Sequence, residues 1–73
     1  MNYLTKGTVR VITEVYEKTG YTDRYDLLNA VCNELVKRYP GEKLEYQLGR
    51  MKISTTRDIL EAIDNMYEMK LLK

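Results

Sequence analysis

Hydrophobic residues recur at helical spacing through the first clear segment of the chain, from Thr8 to Thr19. At about 100° per residue, one face collects Leu4, Thr8, Val11, Ile12, Val15 and Tyr16. The many β-branched residues also suit a strand, but strict alternation would mix apolar and charged side chains on both faces. The pattern therefore predicts an amphipathic helix, and Gly20 follows where glycine commonly ends one.

A second helix is predicted to begin with Thr22 or Asp23 as its N-cap and to end before Pro40-Gly41. Its apolar side chains cover about half of the circumference. They are a narrow row of Leu28, Val31, Cys32, Leu35 and Tyr39, widened by Tyr25, Leu27 and Val36. An apolar arc of this width predicts a central helix that touches more than one neighbour.

The segment 43–53 fits two structures. Leu44, Tyr46 and Leu48 alternate with polar residues, and Gly49-Arg50 would form the two-residue turn of a β-hairpin. Leu44, Leu48 and Met51 also fit a short helix, at positions i, i+4 and i+7. We favour the hairpin and keep the short helix as the alternative.

A last helix is predicted to start after Ser54 or Thr55, because Thr55 and Asp58 have the spacing of a capping box. Its inner face is predicted to hold Ile59, Leu60, Ile63, Met66 and Tyr67. The predicted fold is therefore mainly α. We expect a small three-helix domain with a β-hairpin at about 43–53 before the last helix, and a single domain over residues 1–73.

A chain of 73 residues has room for one domain, and a domain of this size buries only about 60% of the surface that its unfolded chain exposes. Small proteins commonly add disulfides, metals or oligomerisation. Cys32 is the only cysteine and histidine is absent, which excludes an internal disulfide and argues against a structural zinc site. We therefore expect a homo-oligomer, with a homodimer favoured.

The net charge of +1 creates no strong field that would favour nucleic acid or anionic lipid. The apolar runs are too short to span a membrane, and the N-terminus has no run that resembles a signal peptide. Together with one unpaired cysteine, these features predict a cytoplasmic protein that does not contact a membrane.

Most catalytic chemistry near neutral pH lacks its usual residues here. Without histidine, neither a Ser-His nor a Cys-His pair can form within the chain. The glycines at positions 7, 20, 41 and 49 are too far apart to build a phosphate-binding loop. Carboxylate pairs at helix starts are expected to act as caps. We predict a protein that is not an enzyme and holds no cofactor or metal.

The chain has seven tyrosines and no phenylalanine or tryptophan. Tyrosine suits protein surfaces that are exposed to solvent in the free protein and buried in a complex. Tyr21 and Tyr46 are the best interface candidates, because helical periodicity does not require them inside. The acidic face of the last helix is the other candidate, and it consists of Asp58, Glu61, Asp64 and Glu68. These features predict a small protein-binding regulator or inhibitor.

The alternative function is nucleic-acid binding. The basic segment 43–57 carries Lys43, Arg50, Lys52 and Arg57, with Tyr46 close by in sequence. Such residues can contact a phosphate backbone and stack on a base. The negative charges of Glu42 and Glu45 partly offset this positive charge, so nucleic acid is the less favoured partner.

Overall fold

A computed structural model describes residues 4–72, and all of the regular secondary structure in that range is helical. Four helices follow one another: α1 (Lys6–Thr19), α2 (Arg24–Arg38), α3 (Leu44–Arg50) and α4 (Thr56–Glu68). The predicted helices at α1, α2 and α4 are confirmed. The predicted three-helix domain with a β-hairpin at about 43–53 is wrong, because this segment forms a fourth helix, α3, and no strand occurs within residues 4–72.

Packing against the core explains why the helical pattern prevails in α3. Leu48 and Met51 are buried and Leu44 packs partly against the core, so the i, i+4 and i+7 positions share one inward face. Tyr46, which a hairpin would have placed with Leu44 and Leu48, is exposed instead. Gly49 lies within the helix, so it does not act as a turn residue.

The turn that follows α3 is made by Lys52, which adopts a left-handed conformation with φ of 63°. The backbone N–H of Ile53 donates to the carbonyl of Leu48, and that of Lys52 donates to Gly49, both at 3.0 Å. This is the Schellman arrangement, and the buried side chains of Leu48 and Ile53 match the apolar pair that usually accompanies it. This tight turn ends α3 and leads the chain into the start of α4.

The helix starts agree with the capping signals in the sequence. Asp23 accepts hydrogen bonds from the backbone N–H groups of Tyr25 and Asp26 at 2.9 and 3.0 Å, which fixes the start of α2. At α4 the carboxylate of Asp58 accepts from the backbone N–H groups of Ser54 and Thr55. These bonds satisfy donors that have no partner within the helix itself.

All four helices contribute to one hydrophobic core. Its buried apolar members are Val11, Ile12, Val15, Leu27, Val31, Leu35, Leu48, Met51, Ile53, Ile59, Ala62, Ile63, Met66 and Leu72. α2 contacts each of the other three helices, as the width of its apolar arc predicted. Within residues 4–72, no helix combines the length and the apolar character needed to cross a bilayer.

Candidate functional site

α2 carries more apolar surface than the core can cover. Leu27, Val31 and Leu35 are fully buried and form the line along which α2 packs. The sequence analysis placed Leu28 and Cys32 in the same narrow apolar row as Val31 and Leu35, and the structure shows Leu28 and Cys32 only half-buried. The remaining apolar side chains form a second line beside the first, which we call the outer stripe. It consists of Tyr25, Leu28, Cys32, Val36 and Tyr39.

The outer stripe is open to solvent over the length of the helix. Tyr25 is 55% exposed, Val36 is 57% exposed and Tyr39 is 39% exposed. Leu28 and Cys32 lie between them, each partly packed against the core. At about 100° per residue the five positions fall within an arc of about 80°. They therefore make one continuous apolar surface on one side of α2.

An arginine stacks on the tyrosine at each end of the outer stripe. The guanidinium of Arg24 lies 5.1 Å from the ring centre of Tyr25. That of Arg50 lies 4.8 Å from the ring centre of Tyr39. Both arginines are also bound by carboxylates, Arg24 by Asp64 and Arg50 by Glu42. These contacts hold the rings in place, which reduces the entropy lost when a partner covers them.

Cys32 occupies the centre of the outer stripe. Burial raises the pKa of its thiol above the ordinary value, because a thiolate is disfavoured next to apolar side chains. A thiol that is held neutral in this way behaves as a small hydrophobic side chain. Its position suits an apolar contact surface and not a nucleophilic site.

The opposite side of α2 is polar. An open groove of about 470 Å³ lies between α1 and α2, and Tyr21 and Asn33 are among its lining residues. Glu34 accepts from Lys18 at 3.1 Å and from Arg38 at 2.9 Å, which links the two helices. These hydrogen bonds, first that of Arg38 and then that of Lys18, lower the pKa of the Glu34 carboxyl.

A smaller cavity of about 220 Å³ lies between α1, α2 and α3, and sequence analysis missed it. Arg10, Arg38 and Arg50 line it, together with the fully buried Gln47. The Oε1 atom of Gln47 has no hydrogen-bond partner among the described residues. These side chains come from separate helices, so no local sequence pattern could have indicated that they meet.

The acidic face of α4 is largely occupied by contacts within the fold. Asp58 caps its own helix, and the carboxylate of Asp64 accepts a bidentate pair of hydrogen bonds from the guanidinium of Arg24. Glu61 lies 3.8 Å from Arg57, while Glu68 is exposed. The four acidic residues therefore do not form a continuous, unpaired acidic surface.

The basic residues of 43–57 are spread over three parts of the chain. Lys43 precedes α3, Lys52 forms the turn after it, and Arg57 lies in the first turn of α4. Arg50 is bound to Glu42 at 2.9 Å. Tyr46 is 69% exposed on α3 but lines neither of the two cavities described here.

Residues 4–72 contain no group of three or more cysteine, aspartate or glutamate side chains placed to hold a metal ion. The surface that stands out is thus the outer stripe, which differs from the rest of α2 in being both apolar and exposed. Comparison with models of known protein families, with curated proteins and with solved structures found no match to this chain.

Proposed function

We propose that this protein is a non-catalytic protein-binding domain that contacts its partner through the outer stripe of α2. The observation that carries the proposal is the exposure of Tyr25, Val36 and Tyr39 in line with the half-buried Leu28 and Cys32. Single apolar residues on a surface need no explanation. Five in one line on one helix make a continuous patch, and such patches mark interaction sites.

The chemistry of the outer stripe suits protein recognition. Tyrosine supplies a large apolar ring with a polar tip, and it is enriched at the centres of protein interfaces. Val36 is 57% exposed, so its complete burial by a partner would contribute about 1–2 kcal/mol of hydrophobic free energy. A partner that presents an apolar helix or groove can cover such a line of side chains at spacings of three and four residues.

A regulatory or inhibitory role is consistent with this surface. A small domain that binds through one helix acts by occupying a partner's surface, and it needs no reacting group of its own. The absence of histidine from the chain supports the same view, because the most common general base is missing.

The test is affinity capture from the native host with three forms of the protein. Val36→Glu places a charge at the exposed outer stripe, while Asn33→Glu adds the same charge on the groove side of α2. We expect Asn33→Glu to retain the proteins bound by the unmodified chain and Val36→Glu to lose at least 90% of them, since burial of an unpaired charge opposes docking. Circular dichroism checks that both variants remain helical.

Equal capture by the unmodified protein and Val36→Glu would contradict the proposed surface. A fourth form, with charge reversal at Glu61 and Glu68, leaves the Arg24–Asp64 pair intact. If Val36→Glu keeps a partner that this fourth form loses, the binding site is the acidic face of α4 and not the outer stripe. The four forms together therefore compare the outer stripe with the acidic surface that the sequence indicated.

Nucleic-acid binding through the basic segment is the alternative, and the ion pairs of Arg50 and Arg57 count against it. The carboxylates of Glu42 and Glu61 already offset their charge, which leaves little field to attract phosphates. We expect no mobility shift of single-stranded or double-stranded DNA or RNA at low salt. A shift that weakens steeply with salt, and that Lys43→Ala combined with Lys52→Ala removes, would establish the alternative.

A further inference from the structure

We infer that the partner of the outer stripe is the outer stripe of a second copy of this chain, paired antiparallel about a twofold axis that passes beside Cys32. This inference rests on the proposed function, because it names the occupant of the same surface. Three features support it: the spacing of the outer stripe, the likeness of the side chains at matching positions and the direction of the helix dipoles.

The spacing of the outer stripe is symmetric. Successive members are separated by 3, 4, 4 and 3 residues, so the line has the same spacing in both directions from Cys32. A twofold interface brings the same patch of both copies together, and each contact must therefore occur twice. A line of side chains with this symmetry meets that requirement when two copies of α2 run in opposite directions.

The side chains at matching distances from Cys32 are also alike. Tyr25 and Tyr39 lie seven residues to either side, and Leu28 and Val36 lie four residues to either side. In the antiparallel pair, Tyr25 meets Tyr39 of the second copy, and Leu28 meets Val36 of the second copy. Aromatic rings thus pack on aromatic rings, and aliphatic side chains pack on aliphatic ones.

The helix dipoles favour the antiparallel over the parallel arrangement. Asp23 and Asp26 lie at the N-terminal end of α2, and Lys37 lies in its last turn. Asp26 and Lys37 line the groove on the other side of α2, so their charges do not meet across the pair. Antiparallel pairing does oppose the two helix dipoles, which parallel pairing would align. Arg24 and Arg50, which approach each other across the interface, are each already bound by a carboxylate.

The size of the contact between the two α2 helices determines how tightly we expect the dimer to associate. α2 has 15 residues, so the paired helices are about 22 Å long at a rise of about 1.5 Å per residue. We expect a single helix pair of this length to bury less than the roughly 1,000 Å² in total that a stable interface is expected to exceed. We therefore expect a dimer that dissociates in the micromolar range and not a permanent one.

Sedimentation equilibrium over a range of protein concentrations tests the association. The unmodified protein and Asn33→Glu should show a monomer–dimer equilibrium with similar dissociation constants. Val36→Glu should raise the dissociation constant at least tenfold, because two charges enter the interface for each dimer formed. A monomer at every concentration up to 1 mM, or a dimer indifferent to Val36→Glu, would overturn the inference.

Single cysteines test the direction of pairing. In a Cys32→Ser background, Tyr25→Cys and Tyr39→Cys are prepared separately and then mixed in equal amounts under mild oxidation. Antiparallel pairing brings position 25 next to position 39, so the mixture should form a disulfide-linked dimer. Each variant alone should not, because its own two cysteines would lie about 21 Å apart along the helices.

Each outcome separates the two proposals. Disulfides formed by each variant with itself, and not in the mixture, would show parallel pairing and overturn the inference. If the chain stays monomeric while Val36→Glu still abolishes capture of another protein, the proposed function stands and its partner is not a second copy. If Val36→Glu changes neither self-association nor capture, both proposals fail.

Discussion

Two lysines occupy backbone conformations that favour glycine. Lys52 and Lys70 have φ values of 63° and 60°, and each follows the end of a helix. At Lys70 the pattern of α3 recurs, since the N–H of Leu71 donates to Met66 and that of Lys70 donates to Tyr67. A residue with a Cβ atom in this region costs about 1–2 kcal/mol. Lys52 lies between the buried Met51 and Ile53, so packing on both sides maintains its turn, whereas Lys70 lies between the exposed Met69 and Leu71.

Replacement of either lysine by glycine should stabilise the fold. Lys52→Gly and Lys70→Gly are each expected to raise the free energy of unfolding by about 0.5–1 kcal/mol, since the relief of strain exceeds the added entropy of the unfolded chain. For a domain of this size that is a rise of roughly 2–8 °C in Tm. Lys37→Gly, within α2, is the control and should lower Tm. A fall in Tm for Lys52→Gly or Lys70→Gly would contradict this account.

At the scale of the elements, ion pairs between α1 and α2 hold the two helices together. Arg38 binds Glu14 at 3.0 Å and Glu34 at 2.9 Å, and Lys18 binds Glu34 at 3.1 Å. Glu34 connects both cations, and its side chain is only 14% exposed. A charge placed this way is screened less by salt than a pair at the open surface.

The contribution of these ion pairs to the free energy of unfolding should depend on pH. Because the pKa of Glu34 in the folded chain lies below its ordinary value of 4.5, the ion pairs contribute fully above that pH. The contribution is then lost as the pH falls from 4.5 through the lower folded pKa. Glu34→Gln should reduce the free energy of unfolding at pH 7 and lessen its dependence on pH below about 5.

Urea unfolding at a series of pH values measures this effect. Glu17→Gln is the control, because Glu17 is exposed on α1 and makes no ion pair with any described residue. Its stability should follow that of the unmodified protein at each pH. A Glu34→Gln curve parallel to that of the unmodified protein would show that these ion pairs add nothing to the stability of the fold.

On the scale of the whole molecule, α2 lies at the centre and still keeps one side open. It contacts α1, α3 and α4, yet Tyr25, Val36 and Tyr39 remain exposed. A domain of 73 residues with a single cysteine and no histidine lacks the disulfides and zinc sites that strengthen many small folds. In the pairing that we propose, the covered outer stripe would add stability to this fold.

Association through the outer stripe should appear in thermal unfolding. If the paired form is folded and the unfolded chain is monomeric, Tm should rise with protein concentration by mass action. We expect a rise of several degrees between 10 μM and 1 mM for the unmodified protein, and a smaller one for Val36→Glu. Calorimetry at matched concentrations gives both values, and parallel behaviour of the two proteins would argue against coupling between folding and pairing.

The extent to which sequence predicted structure differs from helix to helix. α1, α2 and α4 were predictable because their apolar periodicity runs over many residues and their caps are local, as at Gly20 and Asp23. α3 was not, because seven residues allow both the alternation of a strand and the period of a helix. A helix so short is unstable alone, and contacts of Leu48 and Met51 with the core stabilise it.

The same division applies to the candidate surface. The sequence by itself determined that α2 is apolar over about half of its circumference, because that depends only on residue type and helical period. Only the tertiary structure decided that Leu27, Val31 and Leu35 are buried while Tyr25, Val36 and Tyr39 are exposed. The physical reason is that neighbouring helices cover only part of so wide an arc, and where they lie depends on the packing of the whole core.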